Sequence, residues 1–282
     1  MAQGLLSTAD VSAAFALSTA EGWNQTESDW SRLVRLGPRG CFAARDGARL
    51  IGTITTTTYG SALAWIGMMI VHPDFRRKRI GAALMGMALD YLRALGVQSV
   101  KLDATPAGLP LYESLGFTAK AELERWAGAA QPRATSHPSL PPVSAGSRQS
   151  LLTLDGTAYG ADRARLLDSL MAEGQDDPMV LESPRGSPVG YALARAGRTA
   201  TYIGPVVATT ATVGEWLLEG MLARFAGTQV CLDVHRGGLL DPRVLTSCGL
   251  SKQRVLTRMA FGPRSDAGTG GAICASAGPE FG

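Results

Sequence analysis

The chain lacks the long apolar runs and leader segments that mark membrane and secreted proteins. None of its apolar runs approaches the roughly 18 residues that a membrane span needs. The first residues, MAQGLLSTADV, contain no basic segment followed by a long apolar stretch, which a secretory signal would show. We therefore expect a cytoplasmic protein with no membrane partner.

Cysteine, histidine and excess charge are also scarce. The 4 cysteines form no CxxC pair and the 3 histidines are isolated from one another, so we expect free thiols in a reducing compartment and no metal. The net charge is only +3, and the one strongly basic turn has no interleaved aromatic side chains. We therefore expect no nucleic acid partner.

The composition that remains suits a protein with a substantial core, because 45% of the 282 residues are hydrophobic and 18% are charged. One segment, GAAQPRATSHPSLPPVSAGSRQS, is rich in Pro, Ser, Gly and Ala and has no hydrophobic period. We predict an N-terminal domain over residues 1–126, a linker over 127–149 and a C-terminal domain over 150–282.

The first part of the chain alternates between helix and strand patterns. TESDWSRLVRL opens with a helix-capping pattern, and CFAAR and RLIGTITTTTYG flank a DGA turn that predicts a hairpin. LAWIGMMIV reads as a strand buried on both faces, and IGAALMGMALDYLRAL has helical spacing. The resulting order α-α-β-β-β-α-β-α-β predicts an α/β protein, with a mixed, mostly antiparallel sheet flanked by helices.

Three segments of the first part recur, in the same order, in the second. WIGMMIV is echoed by YIGPVVA, VKLDATPAGL by VCLDVHRGGL, and SLGFTAKAELER by SCGLSKQRVLTR. We interpret this as an internal duplication that produces two copies of one fold.

The stretch VHPDFRRKRIGAALM places four basic residues where a strand gives way to a helix. The first N–H groups of a helix have no internal partners and carry a partial positive charge, so they can hold a phosphate group. The alternative is a merely solvated basic turn, but the surrounding order of elements favours an anion site.

This loop resembles the acetyl-coenzyme A loop of the GCN5-related N-acetyltransferases (the GNAT family), whose pattern is Q/R-x-x-G-x-G/A after a strand. LPLYESLGF resembles the second hallmark of the family, a Tyr four residues before a Gly-Phe pair. The resemblance implies two GNAT-like domains and acetyl-CoA as co-substrate. It also implies that the strand end pairs with the pantetheine arm. The implied cofactor-binding residues are Met69, Ile70, Val71, Arg76, Arg77, Lys78, Arg79, Ile80, Gly81, Ala82 and Thr105.

Two of these positions depart from the family pattern. Arg79 stands where the family usually has a glycine, and Thr105 where many members have an asparagine. We expect the helix to begin at Arg79 or Ile80, which would give Arg79 an ordinary negative φ and a further phosphate contact. The alternative is a positive φ at Arg79, which would make binding weaker.

The resemblance implies that Tyr112 is the general acid that protonates the departing thiolate, although a core tyrosine is the alternative. The strand LAWIGMMIV contains no carboxylate, so it offers no evident general base for deprotonating the amine. Asp103 is the nearest ionisable candidate, with an N-cap role equally open. His72 and a water chain remain alternatives.

In the GNAT family, the segment between the first two helices lines one side of the acceptor groove. In this sequence the corresponding segment is GWNQTESDW. We predict substrate contacts from Trp23, Asn24 and Asp29. The alternative is structural, because Thr26 and Asp29 have the spacing of a helix cap.

The second copy has no basic loop, and Leu245 stands where Tyr112 does in the first. We therefore predict one active and one degenerate domain. The function expected is direct transfer of acetyl from acetyl-CoA to a primary amine of a small molecule. Acetylation of protein lysines or N-termini and a non-catalytic acyl-CoA sensor are the alternatives, and a homodimer is left open.

Overall fold

The structure is a computed structural model that describes residues 1–131, 147–174, 177–264 and 271–282. Its contacts divide the chain into two compact units. Unit 1 comprises Met1–Ala119, Met259–Ala267 and Glu280–Gly282, and unit 2 comprises Lys120–Arg258 and Gly268–Pro279. These bounds differ from the predicted domains because each unit includes a segment from the other part of the sequence. Most of the predicted linker lies outside the described residues.

Unit 1 contains a sheet with helices packed on it. Its strands are β1 (Ala2–Leu5), β2 (Phe42–Asp46), β3 (Arg49–Tyr59), β4 (Leu63–Val71), β5 (Val100–Ala104), the start of β6 (Thr118–Ala129) and the end of β11 (Ser251–Phe261). Its helices are α1 (Val11–Ala20), α2 (Glu27–Leu36), α3 (Ile80–Ala94) and α4 (Leu109–Ser114). Strands β1 to β4 pair antiparallel, and β4 and β5 pair parallel.

Apart from β1, which the sequence did not predict, the elements of unit 1 form where the sequence pattern predicts them. Strand β4 is apolar throughout and almost wholly buried. Helix α2 begins with a capping box in which Thr26 accepts from the Asp29 N–H. Helix α3 buries an apolar stripe that begins at Ile80 and ends at Leu92, which joins the core of this unit.

Unit 2 repeats this order of elements. It contains α5 (Ser147–Tyr159), α6 (Ala164–Ala172), β7 (Met179–Glu182), β8 (Pro188–Arg195), β9 (Thr201–Ala208), α7 (Ala211–Arg224), β10 (Gln229–His235), α8 (Pro242–Ser247) and β12 (Ile273–Ala275). With most of β6 and β11, its strands lie in the order β11-β6-β10-β12-β9-β8-β7. The repeated order agrees with the duplication inferred from sequence.

The two copies differ at the gap between their parallel strands. Strands β4 and β5 share register only at Ala64–Val100 and Trp65–Lys101, after which they separate. No described strand lies between them. In unit 2, β9 and β10 also pair at only two positions, but β12 pairs with both strands and fills the gap. The gap is therefore available to a ligand only in unit 1.

Candidate functional site

A groove of about 640 Å³ lies in unit 1 where β4 ends and α3 begins. The loop after α1 and helix α4 supply the remaining walls. Ten of the eleven residues predicted to bind the cofactor line this groove, the exception being Lys78. The groove is also lined by Tyr112, Trp23 and Glu21, and the last of these had not been predicted.

The prediction of an ordinary backbone at Arg79 is wrong. Helix α3 begins at Ile80, and Arg79 is its N-cap with φ 60° and ψ 11°, in the left-handed region. Arg77 also has a positive φ, of 62°. Glycine tolerates this conformation readily and arginine does not, which explains why glycine is usual in such loops. No side chain caps the first turn of α3, so its N–H groups remain available to an anion.

The four cations of the loop have different roles. The Arg76 guanidinium donates to the Val71 carbonyl oxygen at 2.9 Å and pairs with Glu21, which ties the loop to the end of α1. The Lys78 ammonium donates to the Asp74 carbonyl oxygen at 3.1 Å. Arg77 and Arg79 are exposed, and neither side chain bonds to any part of the chain that the structure describes. These two cations are therefore available to phosphate oxygens.

Gly81 forms the floor of the groove. A Cβ atom at this position would lie 2.7 Å from Met69 Cε and 3.4 Å from Leu111 Cδ2. A larger side chain would therefore fill the space beside the first turn of α3.

Tyr112 lies on α4 at one wall of the groove and is 8% exposed. Its ring packs against Phe117, with 6.1 Å between the ring centroids. Burial raises the pKa of Tyr112 to about 12, so the hydroxyl keeps its proton at neutral pH and can donate it to a ligand. Asp103 is half-buried on β5 and does not line the groove, so the structure offers no support for it as the base.

Two family models match the chain. The acetyltransferase (GNAT) family model matches residues 10–117, and an acetyltransferase (GNAT) domain model matches residues 151–270. The chain belongs to the GNAT family. The matched ranges also make it a tandem GNAT protein, because each covers one copy of the repeat.

Individual relatives and structures agree with this assignment. N-alpha-acetyltransferase 30 of Dictyostelium discoideum is 32% identical over 95 residues, which are 32% of this chain and 51% of that protein. The uncharacterized N-acetyltransferase YitH of Bacillus subtilis is 24% identical over 163 residues, 57% of each protein. The chain thus spans little more than half the length of these relatives. A GCN5-related N-acetyltransferase from Sphaerobacter thermophilus has the same fold, with TM-score 0.69 at 18% identity and coverage of 92% of this chain and 95% of that one.

The region that walls the acceptor side in GNAT proteins contains both groove-lining and structural residues. Trp23 lines the groove, and Asn24 is 9% exposed. The Asp29 carboxylate accepts from the Thr26 N–H at 2.9 Å and from the Arg32 guanidinium at 2.6 Å. Because both of its oxygens are engaged in this way, we assign Asp29 to the structure of α2 rather than to the substrate. Gln25 and Glu280, which the sequence did not single out, form a buried hydrogen bond in unit 1, with Gln25 Nε2 donating to Glu280 Oε2 at 2.8 Å.

The second GNAT copy lacks the features that bind an anion in the first. The Oγ1 atom of Thr210 accepts from the Val213 N–H and so caps the first turn of α7. Leu245, the counterpart of Tyr112, is fully buried. The Asp233 carboxylate is held by the Arg125 guanidinium at 2.8 and 2.6 Å. These features agree with a degenerate second copy.

Two classes of feature are absent from the described ranges. They contain no group of three or more His, Cys, Asp or Glu side chains arranged to hold a metal ion. Within the same ranges, no helix is both long and apolar enough to cross a bilayer.

Proposed function

We propose that unit 1 transfers the acetyl group of acetyl-CoA directly to a primary amine of a small molecule. The observation that carries the proposal is the uncapped first turn of α3 beside Arg77 and Arg79. Backbone N–H groups and guanidinium groups together match the two negative charges of a pyrophosphate. Members of the GNAT family use acetyl-CoA, and the residues around this groove fit it.

Each wall of the groove would then have a distinct task. Acetyl-CoA supplies the activated acetyl group as a thioester. The separated end of β4 offers free backbone groups to the pantetheine arm, as the family resemblance implies. Tyr112 donates a hydrogen bond to the thiolate sulfur as negative charge develops there. Its high pKa keeps the donor protonated but makes complete proton transfer to a thiolate less favourable.

A small-molecule acceptor is supported by the small amount of polar surface on the acceptor side. Asn24 and Gln25 are 9% and 6% exposed and do not line the groove, so these side chains offer little surface for a peptide to bind. Protein N-termini are the second candidate, favoured by the match to N-alpha-acetyltransferase 30. A comparison of peptide and small amines as acceptors would separate the two. We also propose a cytoplasmic location, which the four buried cysteines, all in the thiol form, suit.

Calorimetric titration with acetyl-CoA tests the cofactor site. We expect one site per chain in the wild type and loss of binding in Gly81→Trp, because the new side chain fills the floor of the groove. Gly86→Trp is the matched control, since a Cβ at Gly86 on the same helix meets nothing within 4 Å. Unimpaired binding in Gly81→Trp would rule out this groove as the cofactor site.

A further inference from the structure

The groove of unit 1 is lined by a single carboxylate, that of Glu21. The other charged residues in its wall are Arg76, Arg77 and Arg79, so Glu21 is the only acidic lining residue within the described chain. The Glu21 side chain is 26% exposed, so a ligand in the groove can reach it. The proposed transfer does not yet give this carboxylate a task.

The end of α1 fixes the position of Glu21. Glu21 is the C-cap of this helix. The chain turns directly after it, because Gly22 has φ 72° and the Trp23 N–H donates to the Ser18 carbonyl oxygen at 3.0 Å. A helix C-terminus carries a partial negative charge, and the last turn of α1 contains no basic residue. The helix end and the carboxylate therefore both favour a cation at this point of the wall.

One cation already uses half of this carboxylate. The Arg76 guanidinium donates to Glu21 Oε1 and, through Nε, to the Val71 carbonyl oxygen at 2.9 Å. Glu21 Oε2 accepts no hydrogen bond from the chain that the structure describes. Because an ionised carboxylate can accept about four hydrogen bonds, Glu21 has the capacity to bind a second cationic donor.

Trp23, two residues further along, contributes an aromatic surface to the same groove. It is half-buried, and an indole ring is the aromatic surface that attracts an ammonium group most strongly. The segment after α1 thus presents to the groove both kinds of group by which proteins bind alkylammonium ions.

We propose that Glu21 binds a positively charged amine of the acceptor, and that this amine is distinct from the one that receives the acetyl group. A carboxylate stabilises the protonated form of a neighbouring amine. The reacting amine must instead be neutral, because only then does it have a free electron pair with which to attack the thioester. Glu21 therefore suits a second, unreactive ammonium group. The inference rests on the proposed amine transfer and specifies the acceptor class as diamines.

The test compares diamines with monoamines of the same chain length: putrescine with butylamine, and cadaverine with pentylamine. Thiol release from acetyl-CoA is the readout. We expect the wild type to prefer each diamine in kcat/KM by about tenfold or more, as for the gain of a charge-assisted hydrogen bond. Glu21→Gln keeps the shape of the side chain and removes its charge, so kcat/KM for the diamines should fall by about tenfold to a hundredfold. The monoamines have no second ammonium group and should change by less than about twofold.

Asp10→Asn is the matched control at the other end of α1. The Asp10 side chain is 17% exposed and pairs with the Arg45 guanidinium at 2.6 Å, so it resembles Glu21 in burial and in its partner. Asp10 does not line the groove. Its substitution should therefore leave the preference for diamines unchanged.

Calorimetric titration of putrescine into the complex with CoA separates binding from transfer. The phosphates of CoA offset the charges of Arg77 and Arg79, which would otherwise repel a cation from the groove. We expect putrescine to bind the wild-type complex, and to bind the Glu21→Gln complex about tenfold to a hundredfold more weakly.

The outcomes distinguish this inference from the proposed function. Equal kcat/KM for diamines and monoamines in the wild type would overturn the inference and leave amine transfer standing. An equal loss for both kinds of amine in Glu21→Gln would also overturn it, because Glu21 would then act only by holding Arg76. Putrescine binding that depends on Glu21, without thiol release for any of the four amines, would support the ammonium site and contradict the proposed transfer. Absence of both putrescine binding and diamine transfer would overturn the inference.

Discussion

At the scale of single residues, the loop before α3 keeps two arginines in a conformation that disfavours them. Arg77 and Arg79 have φ values of 62° and 60°, and the left-handed region costs a residue with a Cβ about 1–2 kcal/mol. Both side chains extend into solvent beside the groove. The cations are therefore retained at the expense of stability, which is typical of binding sites.

Arg79→Gly should separate the effect of the backbone strain on stability from the effect of the cation on acetyl-CoA binding. We expect the free energy of unfolding to rise by about 1 kcal/mol because the backbone strain is relieved. Acetyl-CoA affinity should fall by about tenfold because a charged hydrogen-bond donor is lost. Urea unfolding and calorimetry measure the two quantities. Arg93→Gly is the control within the helix, where the same substitution should only destabilise. A less stable Arg79→Gly protein would contradict the assigned backbone conformation.

Tyr112→Phe should lower kcat by about a hundredfold or more, while the acetyl-CoA Kd remains unchanged. Because burial raises the pKa of Tyr112 to about 12, the hydroxyl stays protonated as the pH rises through its ordinary value near 10. The rate should therefore show no fall due to this residue between pH 7 and about pH 10. A descending limb in that range that disappears in Tyr112→Phe would contradict this protonation state.

At the scale of elements, one short strand and one helix cap distinguish the two copies. Strand β12 fills the gap between β9 and β10. The Thr210 side chain accepts a hydrogen bond from an N–H group in the first turn of α7. The corresponding gap and helix end of unit 1 have no such partner in the described chain. The backbone pairing of unit 2, as well as its side chains, thus disfavours the binding of acetyl-CoA in the second copy.

This difference predicts one acetyl-CoA site per chain, even when the cap of α7 is removed. Thr210→Ala should cost about 1 kcal/mol of unfolding free energy, as a lost N-cap does. It should create no second site, because β12 remains in place. Calorimetric stoichiometry and urea unfolding test both statements together. A second equivalent of acetyl-CoA bound by Thr210→Ala would show that the cap alone had closed unit 2.

At the scale of the whole molecule, the sequence predicts what depends on local periodicity and misses what depends on distant contacts. The apolar run over residues 63–71 and the helix from Ile80 were predicted because each has a clear period. Strands β1 and β12 were missed, since four and three residues are too short to show one. The Gln25–Glu280 bond joins positions 255 residues apart, so no local pattern indicates it.

Unit 2 contains a buried ion pair that should govern the acid stability of the molecule. Asp233 is wholly buried, and its carboxylate accepts two bonds from the Arg125 guanidinium. Burial acts to raise the pKa of Asp233, but Arg125 outweighs burial and holds that pKa below its ordinary value. The stabilisation is therefore fully present above the unfolded pKa, about 3.9, and is lost as the pH falls through the folded pKa.

Asp233→Ala should cost about 3–5 kcal/mol of unfolding free energy at pH 7, because it leaves the Arg125 charge buried without its partner. The difference in unfolding free energy from the wild type should shrink below about pH 4, where the Asp233 carboxylate of the unfolded wild type begins to take up a proton. Asp168→Ala is the matched control: its two bonds to Arg148 have similar lengths but are exposed, so its loss should cost at most about 1 kcal/mol. Urea unfolding from pH 7 to pH 3 measures both variants. Equal costs for the two would show that burial adds nothing to the Arg125–Asp233 pair.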